Sequence, residues 1–422
     1  MKRIEKKSAT YRIKIILILI LFSSQQCFAG DLALVGAKIY LSPSEPPIEK
    51  GTILIHNGQI ISVGPVDQVK IPVGDSVIDC KGLVVTAGFW NSHVHILLPS
   101  LLHAENVSSA VITTQLQQML TQWGFTTVFD IASILSNTNL IRQRIASGEV
   151  NGPRILTVGE PFWIKNGTPV YVKAFLEENH LHIPEVESDD QANERVRQQI
   201  HDGADGIKIF ANSIETNDIL TMPVDLAKLI VADAHRAGKP VFAHVSNNQG
   251  LEVALQSGVD ILAHTTPMAG PWTPEFIRRI TAAHMALTPT LTLWDIESKK
   301  GNASAADIEK WMKMASDQLG IFSREGGQVI FGTDVGYIQQ FNTSEEFLWM
   351  FRAGLNYQQI LASLTTNPAQ RFGYANRSGR IAKGFDADLV VLNADPASDS
   401  SAFSNIRYTI REGKIIYAAN QH

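Results

Sequence analysis

The chain has 422 residues, 45% of them hydrophobic and 18% charged, with a formal charge of −5. That is ample material for an ordinary core, and an acidic balance that speaks against nucleic acid as a partner. The two cysteines, Cys27 and Cys80, exclude a disulfide-stapled scaffold.

The chain opens with the basic stretch MKRIEKKSATYRIK, an apolar run at 15–22 (IILILILF), and SSQQCFA ending at Ala29. This charged, apolar and small-residue order is that of a secretory signal peptide, residues 1–29. The apolar run is shorter than the ~20 residues that span a bilayer. We expect cleavage after Ala29 and a secreted or periplasmic protein with no stable membrane insertion. Lipidation at Cys27 is disfavoured by its neighbours Ser24 and Gln26. Cleavage removes Lys2, Arg3, Lys6, Lys7, Arg12 and Lys14 with only Glu5, so the mature chain is more acidic.

Next, LALVGAKIYL, GTILIHNGQIISVGP and SVIDCKGLVV read as strands, with a hairpin signal at 56–59 (HNGQ). At the far end, GRIAKGFDADLVVLNADP and IRYTIREGKIIYA read the same way. Neither half makes a comfortable core alone. We therefore expect one small β-sandwich built from residues 30–85 plus 376–422, with residues 86–375 inserted between its halves.

Within the insert, strands are predicted in VVTAGFWNSHVHI (split by its Gly), TVFDIA, RILTVGE, GIKIFA, PVFAHV, DILAHTT, ALTPTL and VIFGTD. Amphipathic helices such as TTQLQQMLTQWG and PVDLAKLIVADAHRAG alternate with them, each closed by Gly. Eight such strands predict an α/β fold, a (β/α)8 TIM barrel. An open doubly wound sheet is the competing architecture, but no Gly-rich nucleotide loop follows any strand. Barrels of this kind carry their chemistry at the C-terminal ends of the strands.

Those ends hold His93 and His95 on strand one, Lys208 on strand four, His244 on strand five, His264 on strand six and Asp334 on strand eight. Residues two apart on a strand share a face, so His93 and His95 can both point inward. Any one histidine alone reads as a hydrogen-bonded core residue. The whole set on one rim reads as a metal site, since imidazole and carboxylate are good zinc ligands. Lys208, amid Ile207, Ile209 and Phe210, is the anomaly. A charged amine inside a covered parallel strand is costly unless it snorkels, pairs with an acid such as Asp205, or changes its chemistry.

The H-x-H at 93–95, Lys208, His244, His264 and Asp334, with GFDADLVVL after the barrel, resemble the amidohydrolase superfamily. Within it they resemble the binuclear carboxylated-lysine type, similar to prolidase-like dipeptidases and imidazolonepropionase-like enzymes. The resemblance implies two divalent metal ions, zinc by default: one on His93, His95 and Asp334, the other on His244 and His264. It implies that Lys208, carboxylated by CO2, bridges them, and that Asp334 moves the proton for a metal-bridging hydroxide. The implied activity is hydrolysis of C–N amide bonds in small molecules, dipeptides or N-acyl amino acids. Lactones, cyclic amides and phosphotriesters are alternative substrates at the same site, and a non-catalytic metal- or ligand-binding protein is the alternative class. A mononuclear deaminase is disfavoured because HVSNNQG after His244 holds no acid. Asn91 stands where the family often has Asp, and GEPFWIKNGTPVYVKAF lacks the Gly-Gly-His-Gly type sequence of close dipeptidase relatives, so substrate carries over less well than chemistry. Trp163, Lys165, Tyr171 and Tyr337 are candidates for the substrate pocket. A homo-oligomer is left open.

Overall fold

The computed structural model describes residues 31–214, 218–300 and 303–420. The expected signal peptide lies outside the described residues.

The N-terminal segment forms β1 (Leu32–Ile39), β2 (Ile48–His56), β3 (Gln59–Pro65), β4 (Ser76–Asp79) and β5 (Val84–Ala87). The strands of the parallel ring follow: β6 (Phe89–Val94), β7 (Phe125–Asp130), β8 (Arg154–Thr157) and β9 (Ile207–Phe210). A short hairpin, β10 (Asn212–Ile214) and β11 (Ile219–Thr221), leaves the ring before β12 (Val241–His244), β13 (Ile261–Ala263), β14 (Ala286–Thr288) and β15 (Gln328–Val329). β16 (Leu389–Leu392), β17 (Ile406–Arg411) and β18 (Lys414–Ala418) close the chain.

Both chain ends enter one sheet, in the order β18-β17-β16-β5-β1-β2-β3, with β4 also paired to β1. In hydrogen-bonding terms the expected sandwich is thus a single continuous sheet. β1 serves two partners because it bulges at Gly36, φ +84°: its first half pairs β4 and its end pairs β5. Strand alternation gives this sheet two cores. Val85, Leu389 and Val391 join the sheet's own cluster with Leu34, Ile53 and Ile410, while Val84, Val390 and Leu392 pack into the core of the central unit. The predicted hairpin turn at Asn57-Gly58 joins β2 to β3.

The eight predicted strands of the insert occur in the predicted order, as a parallel arc of three (β6-β7-β8) and one of five (β9-β12-β13-β14-β15). Among the described residues no ladder makes them one closed sheet. The arcs meet through isolated bridges, Val94 with Val335 and Phe162 with Ile209. Backbone hydrogen bonds cross both seams, from Ser92 N–H to Phe331 (2.7 Å) and from Phe162 N–H to Lys208 (2.8 Å). The chain passes from sheet to ring at Gly88, where a Cβ would sit 2.2 Å from Thr126 Oγ1, so no larger residue fits without displacement.

Alternation again sorts the side chains. Ile155, Ile207, Ile209 and Leu287 face the helices, while Trp90, Phe129, Leu156, Phe242 and Ala286 fill the ring interior. Lys208 lies between the outward-packed Ile207 and Ile209, so its position on the strand directs it inward.

Candidate metal centre

The six residues singled out by sequence converge at the C-terminal ends of the strands. His93 and His95 alternate with Val94 and Ile96, which pack outward, and His244 follows the outward-packed Ala243. His264 breaks the parity, since its predecessor Ala263 already faces the ring interior. The strand ends at Ala263, and His264 takes a left-handed conformation, φ +77°, that brings its ring back over the site. Asp334 is left-handed too, φ +63°. Such conformations in non-glycine residues persist where the surroundings over-determine them, and they cluster at functional sites.

Asp334 is the hub. Its Oδ1 lies 2.7 Å from His95 Nε2 and 3.1 Å from His93 Nε2, and its Oδ2 lies 4.0 Å from His264 Nδ1. The His264 ring centroid is 4.6 Å from that of His93 and 5.1 Å from that of His244. His244 stacks on Phe210 at 4.6 Å, and Lys208 Nζ sits 5.7 Å from the same ring.

The second nitrogen of each imidazole decides which face carries a lone pair. His95 Nδ1–H donates to the Ala132 carbonyl at 2.9 Å, leaving Nε2 unprotonated when the ring is neutral. Thr288 donates its one hydroxyl proton to Leu262 C=O (3.2 Å), so it accepts from His93 Nδ1–H (3.3 Å). With its proton on Nδ1, His93 Nε2 is then a buried nitrogen with no hydrogen bond, since Asp334 can only accept. His244 is placed differently, with Nε2 3.1 Å from Ser246 Oγ.

Electrostatics follow from burial and from Asp334. Burial pushes His93 down to about 4 and His244 to about 3, and holds His264 well below its ordinary value, so these rings are neutral at pH 7. For His95, burial is outweighed by the hydrogen bond and charge of Asp334, and its pKa rises. For Asp334, burial is outweighed by His93 and His95 together, and it stays ionised far below the usual carboxylate range. Burial lowers the Lys208 amine to about 7 against the pull of Asp334. Lys208 is 1% exposed, and among the described residues its side-chain amine forms no hydrogen bond or ion pair. The alternative partner, Asp205, is engaged with Arg142 at 3.2 Å and with the Thr157 N–H at 3.0 Å.

A divalent cation fits this donor set. The ligand atoms of His93, His95 and Asp334 lie within 4.8 Å of one another, one of them is an orphaned buried nitrogen, and two imidazoles with a carboxylate suit zinc.

The pocket candidates divide. Trp163 is buried edge-on against Phe210 at 5.7 Å. Tyr171 and Tyr337 pack edge-to-face at 5.4 Å, and burial and then nearby acids, Asp334 among them, raise both phenols. Lys165 is exposed and paired with Glu187 at 3.3 Å. Sequence reasoning missed the supports Ala132, Thr288 and Thr290, and no residue-type signal marks a backbone carbonyl or a lone threonine. Asn91, the family departure, accepts the His93 N–H (3.2 Å) and donates to Thr333 (2.8 Å), so it braces the ligand strand.

Two parallel arcs carrying His, Lys and Asp at their C-terminal rim present a candidate metal centre. Residues 84–416 match the family model described as "Amidohydrolase family", and the chain belongs to that family. It is 21% identical, over 92% of its length and 93% of the relative's, to a 5-methylthioadenosine/S-adenosylhomocysteine deaminase of Caldicellulosiruptor saccharolyticus. It is 22% identical to an imidazolonepropionase of Thermoplasma acidophilum, covering 89% of this chain and 91% of that one. Among solved structures, a Xaa-Pro dipeptidase with bound methionine in its active site superposes with a TM-score of 0.78 at 21% identity, covering 92% of this chain and all of the other.

Proposed function

We propose that this amidohydrolase is a metal-dependent hydrolase of C–N amide bonds in small molecules, dipeptides or N-acyl amino acids, acting after export as a secreted or periplasmic enzyme. The observation that carries the reading is the buried cluster itself: His93, His95 and Asp334 converging beside a lysine that has no counter-ion. The likeness to the dipeptidase supports the substrate class, and the two arcs are read as one (β/α)8 barrel.

His93, His95 and Asp334 would hold one divalent ion, and His244 and His264 a second, zinc being the default for such ligands. A bound ion supplies Lewis acidity, polarising the scissile carbonyl and lowering the pKa of water. The neutral Lys208 amine is nucleophilic. Addition of its lone pair to CO2 with loss of one proton would turn an unwelcome cation into a carbamate anion, a further ligand that Lys208 would offer to both ions. Asp334, ionised and hydrogen-bonded to His95, would accept the proton of the attacking water and deliver it to the leaving amine. The similarity to a deaminase is weaker support for deamination, because no carboxylate follows His244 in 245–248.

The test is release of amino acids from a dipeptide and N-acyl amino acid library by the chain reconstituted with zinc and bicarbonate. Lys208→Ala should lose metal and activity together, with partial rescue by short carboxylic acids. Asp334→Asn should lose turnover far more than metal. Full activity in Lys208→Ala would rule out the bridge, and no release from fully metallated protein would overturn the peptidase assignment in favour of lactones, cyclic amides or phosphotriesters.

A further inference from the structure

His264 owes its place to a left-handed backbone, and a second strained residue stands against it. Thr290 has φ +44°, which a β-branched residue rarely adopts, and it is fully buried. The two loops are laced together, with His264 N–H on Thr288 C=O at 2.9 Å and Thr265 N–H on Pro289 C=O at 3.3 Å.

The strain is held from behind. Thr290 is followed at once by the helix Leu291–Lys300, whose first N–H groups have no partner within the helix. Glu346, 1% exposed on the helix Ser344–Arg352, accepts from Leu291 N–H (2.8 Å), Thr292 N–H (2.8 Å) and Thr292 Oγ–H (2.9 Å). A carboxylate supplied from another helix thus does the work of a helix cap. The same helix grips the His264 loop, where Trp294 Nε1–H donates to Thr265 Oγ1 at 2.9 Å.

The consequence is a proton count. Thr290 donates its single hydroxyl proton to Pro289 C=O at 2.9 Å. Toward His264 Nδ1, 2.7 Å away, it can therefore only accept, so Nδ1 carries the proton and Nε2 keeps the lone pair.

We propose that Thr290, locked by Glu346, is a positioning residue that fixes the Nδ1–H tautomer of His264 and so makes Nε2 its metal-binding nitrogen. This rests on the metal-centre reading, but its tautomer half can be read without metal. In nitrogen-15 NMR of the metal-free protein, His264 should appear as Nδ1–H. Thr290→Val, which keeps the shape and removes the acceptor, should mix or switch the tautomers. In competition with a chromophoric chelator for Zn2+, Thr290→Val should bind about 10- to 100-fold more weakly, and Thr290→Ser within about threefold of wild type, the range expected for partners of a ligand. Glu346→Gln should fall between them. If Thr290→Val does not fold, Thr290→Ser and Glu346→Gln carry the test. An Nε2–H tautomer in the wild type, or a Thr290→Val protein unchanged in tautomer and zinc affinity, overturns the inference. A wild type that shows the Nδ1–H tautomer yet binds no zinc overturns the metal-centre reading instead.

Discussion

The ring buries charge at both of its ends, and the ends differ in whether the buried cation is paired with a carboxylate. Where β8 begins, Arg154 pairs with Asp386 (3.1 Å) and Glu412 (3.0 Å), and Arg377 holds Asp386 through two hydrogen bonds of 2.8 and 3.0 Å. Asp388 lies 3.6 Å from Arg154 and accepts the Glu412 N–H at 2.8 Å. These groups tie the sheet of the chain ends to the ring. At the C-terminal rim, Lys208 has no such partner and His93 Nε2 has no hydrogen bond. Buried charge paired with its opposite within the chain reads as architecture, even where single atoms such as Arg154 Nη1 and Asp388 Oδ2 lack a hydrogen bond. Buried charge left unsatisfied reads as a place kept for something else.

The largest effect expected from this contrast is a gain of stability on removing a functional group. Burial lowers the Lys208 pKa from 10.5 to about 7. In the metal-free protein the folded state therefore binds fewer protons than the unfolded state between those values. Stability from this group rises with pH across that window, and the penalty is at its full size below pH 7. Lys208→Met should stabilise the metal-free protein at pH 7 by up to roughly 5 kcal/mol, the shift taken at about 1.4 kcal/mol per unit. The gain should fade as pH approaches 10.5. Thermal melts of both proteins with a chelator present, at several pH values, measure it, and a loss of stability at pH 7 would mean that Lys208 has a partner in the fold.

Arg154→Met should do the reverse. It leaves Asp388 and part of Asp386 buried without their cation, a loss on the order of 3–5 kcal/mol for a broken buried pair. Zinc affinity should stay at the wild-type value, because no residue of that network reaches the rim. Urea melts and zinc competition on one preparation separate the two properties. A variant that keeps its stability but loses metal would erase the distinction between the ends.

Much of this was legible in the sequence, for a local reason. The alternation of short apolar runs with helices gave all eight ring strands in order, and the hairpin Asn57-Gly58 was readable from turn chemistry alone. Parity explains why His93 and His95 could be aimed from sequence, as strand residues whose neighbours pack outward, and in the fold Lys208 obeys the same rule. It does not explain His264, whose left-handed turn has no residue-type signal. The hairpin β10–β11 also escaped, being two strands of three residues without a strong turn motif. The tautomer-setting partners were invisible because they are backbone carbonyls and threonines brought in from other loops.

Lys165 marks the limit of arguing from residue type. In sequence it sits amid aromatic residues and looks like a cation for a substrate carboxylate; in the fold its side chain is 63% exposed and faces Glu187. An exposed pair of long side chains is screened by solvent and loses entropy on ordering, so Lys165→Ala should change stability by no more than ~0.5 kcal/mol. Tyr171 and Tyr337, packed on each other within the field of Asp334, stand where Lys165 does not. Tyr337→Phe should therefore raise KM for the best library substrate while Lys165→Ala leaves it unchanged. A rise in KM for Lys165→Ala alone would mean that its loop folds inward over bound substrate, and would return the pocket to the cation that the sequence suggested.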